Sequence, residues 1–278
     1  MAAMTRFTML LTGTALLVGF DSSLVTRHSP LSAQEPARKC TLRWYGQSFF
    51  QLETSTGKLV VFDPHAIPMF GRPRVSADVT LISHQHNDHN QKEILENRGR
   101  VFEGVVADPR TGQTQWKTFD EKVGLIRVRN LGTYHDPVNG LQRGKNSVWI
   151  VEVDGLVFVH LGDLGHELTP DQVKAIGKVD VLTVPVGGIY TLNGDQAKKV
   201  VDQLKPRLYV LPMHYGVPGY DDIQGPEEFL GEFDKKYVRK TPETNELVIP
   251  LDAKPPEHVT VVQPGWKKAD APAPPKKP

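Results

Sequence analysis

Three histidines and an aspartate fall within six residues, His84-Gln85-His86-Asn87-Asp88-His89, directly behind an apolar run. Neutral imidazole nitrogen and carboxylate oxygen are the donors that borderline divalent cations such as zinc prefer, and several crowded together are costly unless a cation sits between them. With 10 His in 278 residues, three specified positions all being His has a chance of roughly 5 × 10⁻⁵ per window. The stretch therefore reads as half of a two-metal site. Residues 78–83 are short and β-branched, which predicts a buried strand whose end delivers the histidines. Alternate residues of an extended segment point the same way, so His84 and His86 can reach one ion, while Asp88 and His89, past the bend, face a second.

His-x-His-x-Asp-His behind a strand resembles the signature of the metallo-β-lactamase-fold hydrolases. Later motifs follow in the order that family uses: His135 in Gly132-Thr133-Tyr134-His135-Asp136, Asp163 in His160-Leu161-Gly162-Asp163, and His214 in Leu211-Pro212-Met213-His214-Tyr215. The resemblance runs from about Leu42 to about Pro218. Gly46-Gln47-Ser48-Phe49, Asp63-Pro64 and the late Pro-Met-His-Tyr look most like the branch that contains ascorbate phosphate lactonase. The resemblance implies an α/β fold, a four-layer αββα sandwich. It also implies a ligand set in which His84, His86 and His135 take one metal, Asp88, His89 and His214 take the other, and Asp163 joins both. Zinc is the first choice, with manganese or iron tolerated by the same donors.

Such a pair implies hydrolysis by a di-metal-bridged hydroxide, since two cations lower the pKa of a shared water and polarise the oxygen under attack. Asp88 is the candidate proton acceptor or remains wholly a ligand. The expected substrate is a small-molecule ester, lactone or phosphoester. Alternatives are a phosphodiesterase acting on a lipid or nucleotide, and a metal-binding protein without turnover, which would be expected to have lost a ligand. A di-iron flavin-linked reading fits less well, because its pattern resembles one with Glu where this chain has His86. The polar loop behind His135 offers Arg143, Lys145 and Asn146 as substrate contacts, with Arg143 and Lys145 suited to an anionic group. Tyr215 is a candidate contact and proton donor to the leaving group. Asp63 either orients a ligand imidazole or caps a turn, His65 reads as a loop histidine, and His160 and His166 as packed or orienting residues.

Positioning these groups requires strands that end together. Residues 40–54 and 58–64 read as a hairpin, and residues 147–153 and 156–161 as another around Asp154-Gly155, a strong two-residue turn signal. Residues 168–176 predict a helix capped by Thr169 with Pro170 in its first turn, and residues 195–204 a second helix. Strands over 180–185 and 207–211 complete an α/β alternation. Shorter helices are expected over 91–97 and 226–235, a loop or lid over 108–120, and late strands over 246–251 and 258–262.

The chain carries 33 basic and 32 acidic residues and is 39% hydrophobic. That composition supports one domain with a substantial core, spanning residues 40–266. Balanced charge argues against nucleic acid as a partner. The lone cysteine, Cys40, excludes an intramolecular disulfide framework and a zinc-thiolate cluster. Arg6 ahead of the apolar run 7–20, with Leu31-Ser32-Ala33 beyond, reads as a signal peptide over residues 1–33. This run is short for a membrane span, so the expectation is an exported protein, periplasmic or secreted, with no stable membrane span once the signal is cleaved. The Lys-, Ala- and Pro-rich residues 267–278 are expected to be disordered.

Overall fold

Runs of β-branched and aromatic residues broken by turn residues build two facing sheets. The computed structural model describes residues 38–266, together with Thr8; the expected signal peptide and the expected disordered tail lie outside the described residues. The first strands, β1 (Lys39–Trp44), β2 (Phe50–Glu53) and β3 (Leu59–Phe62), form an antiparallel meander. Next come β4 (Val79–Ile82) and β5 (Arg100–Glu103), each added parallel to its neighbour. A small ribbon follows, β6 (Val105–Ala107) with β7 (Thr114–Trp116).

The second half opens with the antiparallel strands β8 (Asp120–Val123), β9 (Ile126–Tyr134), β10 (Lys145–Val153) and β11 (Leu156–His160). Helix α1 (Pro170–Ile176) leads to β12 (Val181–Pro185), and α2 (Gly194–Leu204) leads to β13 (Tyr209–Met213), both strands parallel to β11. The chain then forms α3 (Glu227–Gly231), β14 (Val238–Thr241), β15 (Glu246–Pro250) and β16 (Thr260–Pro264). One sheet has the order β15-β1-β2-β3-β4-β5, the other β14-β16-β13-β12-β11-β10-β9-β8.

Local chemistry accounts for the boundaries. Asp154 and Gly155 both sit at positive φ, 56° and 78°, the geometry that matches a two-residue turn to the twist of β10 and β11. Thr169 and Asn193 each accept the backbone N–H three residues on, while Gln172 and Gln196 reach back, so α1 and α2 both begin in capping boxes. Ala197, Val200, Val201 and Leu204 form the buried stripe of α2.

The main core lies between the sheets and includes Trp44, Phe50, Trp149 and Phe158. A smaller cluster, Phe49, Val61, Val75, Ala77 and Leu95, is separate from it and draws on loop residues around 75–77 and 95. The α-helices among the described residues all belong to the second half of the chain, and none is long and apolar enough to cross a membrane.

Three local expectations need correction. Residues 91–97 form only a 3₁₀ turn, Lys92–Ile94, because the N–H groups on either side of it, of Gln91 and Glu96, donate to Pro64 and Val75 carbonyls instead of to a helix. The helix at 226–235 stops at Gly231, with no side-chain cap at its start and Asp234 capping a new turn beyond. The segment 108–120 is no free lid, since β7 pairs with β6 and Trp116 Nε1 donates to the Thr133 and Asn146 carbonyls.

Cys40 is 1% exposed, and burial, with the Asp154 carboxylate adding to it, pushes its thiol up to about 12. A thiolate is the reactive form. The native protein should therefore give no titratable thiol at mildly alkaline pH and one equivalent after denaturation; prompt reaction of the native protein would contradict the packing of β1.

Candidate metal centre

Strand ends bring the candidate ligands together. β4 runs straight into His84, β9 into His135, β11 through Leu161 and Gly162 into Asp163, and β13 into His214. Asp63 follows β3 at φ 43°, its backbone N–H on the Leu81 carbonyl. Its buried carboxylate accepts the Ser83 N–H at 2.7 Å and the Ser83 hydroxyl at 2.6 Å. The same carboxylate takes His89 Nδ1 at 2.9 Å and His160 Nε2 at 3.0 Å. With Nδ1–H committed to Asp63, His89 presents the Nε2 lone pair inward, the usual way a ligand imidazole is held. Ser83 acts likewise on His84: its own proton goes to Asp63, so His84 Nδ1 donates to the Ser83 oxygen at 2.9 Å and Nε2 is left for the centre.

Asp163 lies at the middle. Its Oδ2 is 3.0 Å from His135 Nε2, 3.1 Å from His89 Nε2, 3.2 Å from His214 Nε2 and 3.8 Å from His84 Nε2. Asp88 Oδ2 approaches His89 Nε2 at 3.4 Å and His214 Nε2 at 3.6 Å. Two donor groups result, His84 with His86 and His135, and Asp88 with His89, Asp163 and His214, the donor atoms of each group lying within 4.8 Å of one another.

The backbone pays locally for this convergence. Gly162 sits at φ 53°, where a Cβ would press on Asn146 Oδ1 and the Ser83 side chain. His214, at φ 49°, hangs from the carbonyl of Gln47, itself at φ 46°. Strained non-glycine residues persist only where their surroundings over-determine them.

The residues fit a metal. His89 Nε2 and Asp163 Oδ1 are buried and find no hydrogen-bond partner among the described residues, and an unsatisfied buried polar atom is costly. Three imidazoles on one side, and two imidazoles with two carboxylates on the other, suit zinc-like cations.

The charges agree. Burial, with His89 nearby, holds the His84 imidazole well below its usual range. Burial opposes charge on His89 too, but Asp163, Asp88 and Asp63 outweigh it and raise that imidazole well above the ordinary value. At His214, burial is overcome by Asp163 and Asp88, which lift it to about 9. Burial would raise the carboxyl of Asp163, yet the surrounding His214, His89 and His135 keep it well below the usual carboxylate range. Without a metal, protonated imidazoles supply the positive charge these carboxylates demand.

Two expected substrate contacts are corrected. Asn146 is fully buried, its Nδ2 donating to Thr133 Oγ1 and the Leu161 carbonyl and its Oδ1 accepting the Asp163 N–H at 3.0 Å. It positions Asp163, and with both its donors taken and its side chain buried it is out of a substrate's reach. Tyr215 is 2% exposed and packs against Trp44, centroids 5.1 Å apart, because the chain beyond β13 and His214 turns its ring into the core. Arg143 Nη2 donates to the Ile189 carbonyl at 2.8 Å, and Lys145 Nζ to the Thr114 carbonyl at 2.9 Å. His65 is buried, between the Gly46 carbonyl and the Ile67 N–H, and burial lowers it to about 4, outside both donor groups. His160 packs between Asp63 and Thr183, and His166 Nε2 accepts the Tyr134 N–H.

Sequence reasoning passed over Gln47 and Tyr220. Gln47 Nε2 reaches Asp88 Oδ2 at 3.5 Å and the Tyr220 hydroxyl at 3.2 Å. Gln47 stood in a motif noted for its resemblance alone, and Tyr220 lies in a turn without any spacing signal.

The match to known proteins follows this geometry. Residues 41–214 match the family model described as a beta-lactamase superfamily domain. This chain belongs to the metallo-β-lactamase superfamily. Among its superfamily relatives, a UPF0173 protein of Pyrococcus furiosus is 32% identical over 208 residues, covering 70% of this chain and 91% of the relative. A UPF0173 metal-dependent hydrolase of Thermococcus kodakarensis is 29% identical, covering 68% of this chain and 89% of the relative. A crystal structure from Thermotoga maritima, described as a zinc-dependent hydrolase of the metallo-β-lactamase superfamily, aligns with a TM-score of 0.63 and 34% identity over 82% of this chain and all of the other.

Asp63 carries the clearest prediction of the superfamily geometry. Asp63→Asn should weaken zinc binding by roughly 10–100-fold, the usual cost of losing such a partner, with the far-ultraviolet circular dichroism of the wild type retained. Competition with a chromophoric chelator measures it; unchanged affinity would show that Asp63 does not orient His89.

Proposed function

We propose that this chain is a metal-dependent hydrolase with two divalent cations, zinc first. His84, His86 and His135 would hold one, Asp88, His89 and His214 the other, and Asp163 both. The observation that carries the reading is Asp163 Oδ2, which stands within 3.8 Å of four imidazole nitrogens delivered by three strand ends, those of β4, β9 and β13. When bound, such a pair would lower the pKa of water toward neutrality and polarise the bond under attack.

The chain's own groups supply the rest. Asp88, with a side chain 31% exposed, faces the opening. Burial would raise its carboxyl, but His89 and His214 keep it far below the ordinary carboxylate range, so it stays ionised, which suits it to the ligand role more than to that of proton acceptor. Tyr220 is half-buried, and burial together with the Asp88 and Asp222 charges raises its phenol, which keeps it protonated at neutral pH. Its oxygen accepts from Gln47 Nε2, leaving the phenolic proton free for a departing oxygen. Tyr220 thus takes the donor role expected of Tyr215.

The substrate in this reading is a small-molecule ester, lactone or phosphoester, the class supported by the branch resemblance of the Gly46-Gln47-Ser48-Phe49 and Asp63-Pro64 motifs. Export is supported by the charged and apolar pattern of residues 1–33.

Purified protein should hydrolyse at least one member of a screen of lactones, carboxylic and thio-esters, phosphodiesters and β-lactams. Asp163→Ala should lower kcat/KM by roughly 10³-fold or more, since metal stabilisation supplies several kcal/mol and each 1.36 kcal/mol is tenfold. Equal turnover by the two proteins would defeat the enzymatic reading. Tyr220→Phe should lower kcat by on the order of 10²-fold, the low end for a general acid, with the loss smallest for the most acidic leaving groups; a uniform loss across leaving groups would remove the donor role.

A further inference from the structure

The loops around this centre also carry most of the large apolar surface left uncovered. Among the described residues the exposed large apolar side chains are Leu125, Val138, Leu141, Ile189, Tyr190 and Val248. Four of these six stand on two loops, residues 136–144 behind His135 and residues 187–192 behind β12. Leu141 is 86% exposed and Ile189 53%. Single exposed apolar residues are ordinary, whereas a contiguous group at the mouth of a site marks what the site receives.

Both loops abut the proposed ligands. His135 N–H donates to the Gly144 carbonyl, which closes the first loop on its own root. Gly187 lies so close to the His214 carbonyl that no Cβ would fit. The loops are also bolted together, Arg143 Nη2 donating to the Ile189 carbonyl at 2.8 Å with its guanidinium 5.8 Å from the Tyr190 ring centroid.

Neither loop is built to fold its apolar residues away. The Asp136 carboxylate accepts four backbone N–H groups, from Val138 and Gly140 on one oxygen and from Gln142 and Arg143 on the other, at 2.7–3.0 Å. That wraps the loop around a buried charge and leaves Leu141 outside. Ile189 has φ 46°, a conformation disfavoured for a β-branched side chain, and it keeps that conformation with its side chain half in solvent.

Charge narrows the occupant. Arg143 is engaged by Ile189 and Tyr190, and Lys145 by the Thr114 carbonyl and the Trp116 ring. The basic side chain of the first loop and the one that opens β10 are thus tied to protein groups, unlike the mobile cations that recognise a phosphate-rich surface.

We propose that Val138, Leu141, Ile189 and Tyr190 form a lip that binds an apolar chain of the substrate, so that the bond hydrolysed next to it belongs to an ester-type molecule bearing an alkyl or acyl chain. This rests on the hydrolase reading above and names its substrate class. The lip holds the chain by burying methylenes, and the scissile group is thereby carried to the centre behind it.

Two measurements on the metal-loaded protein test it. Across p-nitrophenyl esters from acetyl to octanoyl, kcat/KM should rise by roughly two- to fourfold per methylene until the lip is covered. Leu141→Ser and Ile189→Ser should flatten that slope, while Leu125→Ser, remote on the β8–β9 turn, should not. Binding of N-octylacetamide, which is not turned over, should shift the Leu141 and Ile189 methyl resonances, and N-methylacetamide should not. Ester turnover with no chain-length slope and no methyl shifts overturns the lip and leaves the hydrolase reading standing. Methyl shifts with no turnover of any substrate support the lip and count against the hydrolase. Sedimentation with phosphatidylglycerol vesicles that is lost in Leu141→Ser, without a chain-length slope, overturns the proposal in favour of a membrane surface.

Discussion

Asp163 carries a carboxylate, 2% exposed, with four imidazole nitrogens within 3.8 Å of one of its oxygens. A buried charge is tolerable only when it is paired and hydrogen-bonded. Everything near Asp163 serves that requirement. Asn146 gives up its side-chain oxygen to the Asp163 N–H, Gly162 makes the close passage between Asn146 and Ser83, and Asp63 fixes the direction in which His89 points. The buried carboxylates demand positive charge, which protonated His89 and His214 supply and which a metal cation would supply in their stead.

The fold's contribution is to end strands at one edge. β3, β4, β9, β11 and β13 each finish beside the centre, and the positive φ values at Asp63 and His214 turn the chain inward as soon as the strands stop. The sheets themselves stay rigid because Trp149, Phe50 and their neighbours fill the space between them. Loops behind His135 and β12 adjoin the centre, the first tied to the His135 N–H and the second passing the His214 carbonyl.

Much of this was legible before any coordinates. The His84–His89 cluster stands out by residue type and spacing, and His135, Asp163 and His214 by the family resemblance; in the fold their donor atoms fall into two neighbouring groups. Hairpin and helix boundaries at Asp154-Gly155 and Thr169-Pro170 follow from local turn and capping chemistry, whereas α2 begins at Gly194, one residue before the expected start, because Asn193 caps it. Orientation was not legible. Tyr215 and Asn146 stand next to ligands or motifs in sequence, but β13 ends at Met213 and the positive φ at His214 redirects the chain, so Tyr215 packs into the core against Trp44 while its neighbour His214 faces the centre. Asn146 belongs to β10 and meets Asp163 only through sheet pairing. Tyr220 and Gln47 meet Asp88 across the fold, a contact that no local pattern encodes. The helix expected over 91–97 failed for a related reason, since its backbone groups find distant carbonyls.

The central claim is that two cations share Asp163. Anomalous scattering from crystals grown with zinc, recorded on either side of the zinc edge, tests it most directly. The account predicts two peaks, one against His84, His86 and His135 and one against Asp88, His89 and His214, with the Asp163 carboxylate between them. A single peak, or density away from Asp163, would contradict it.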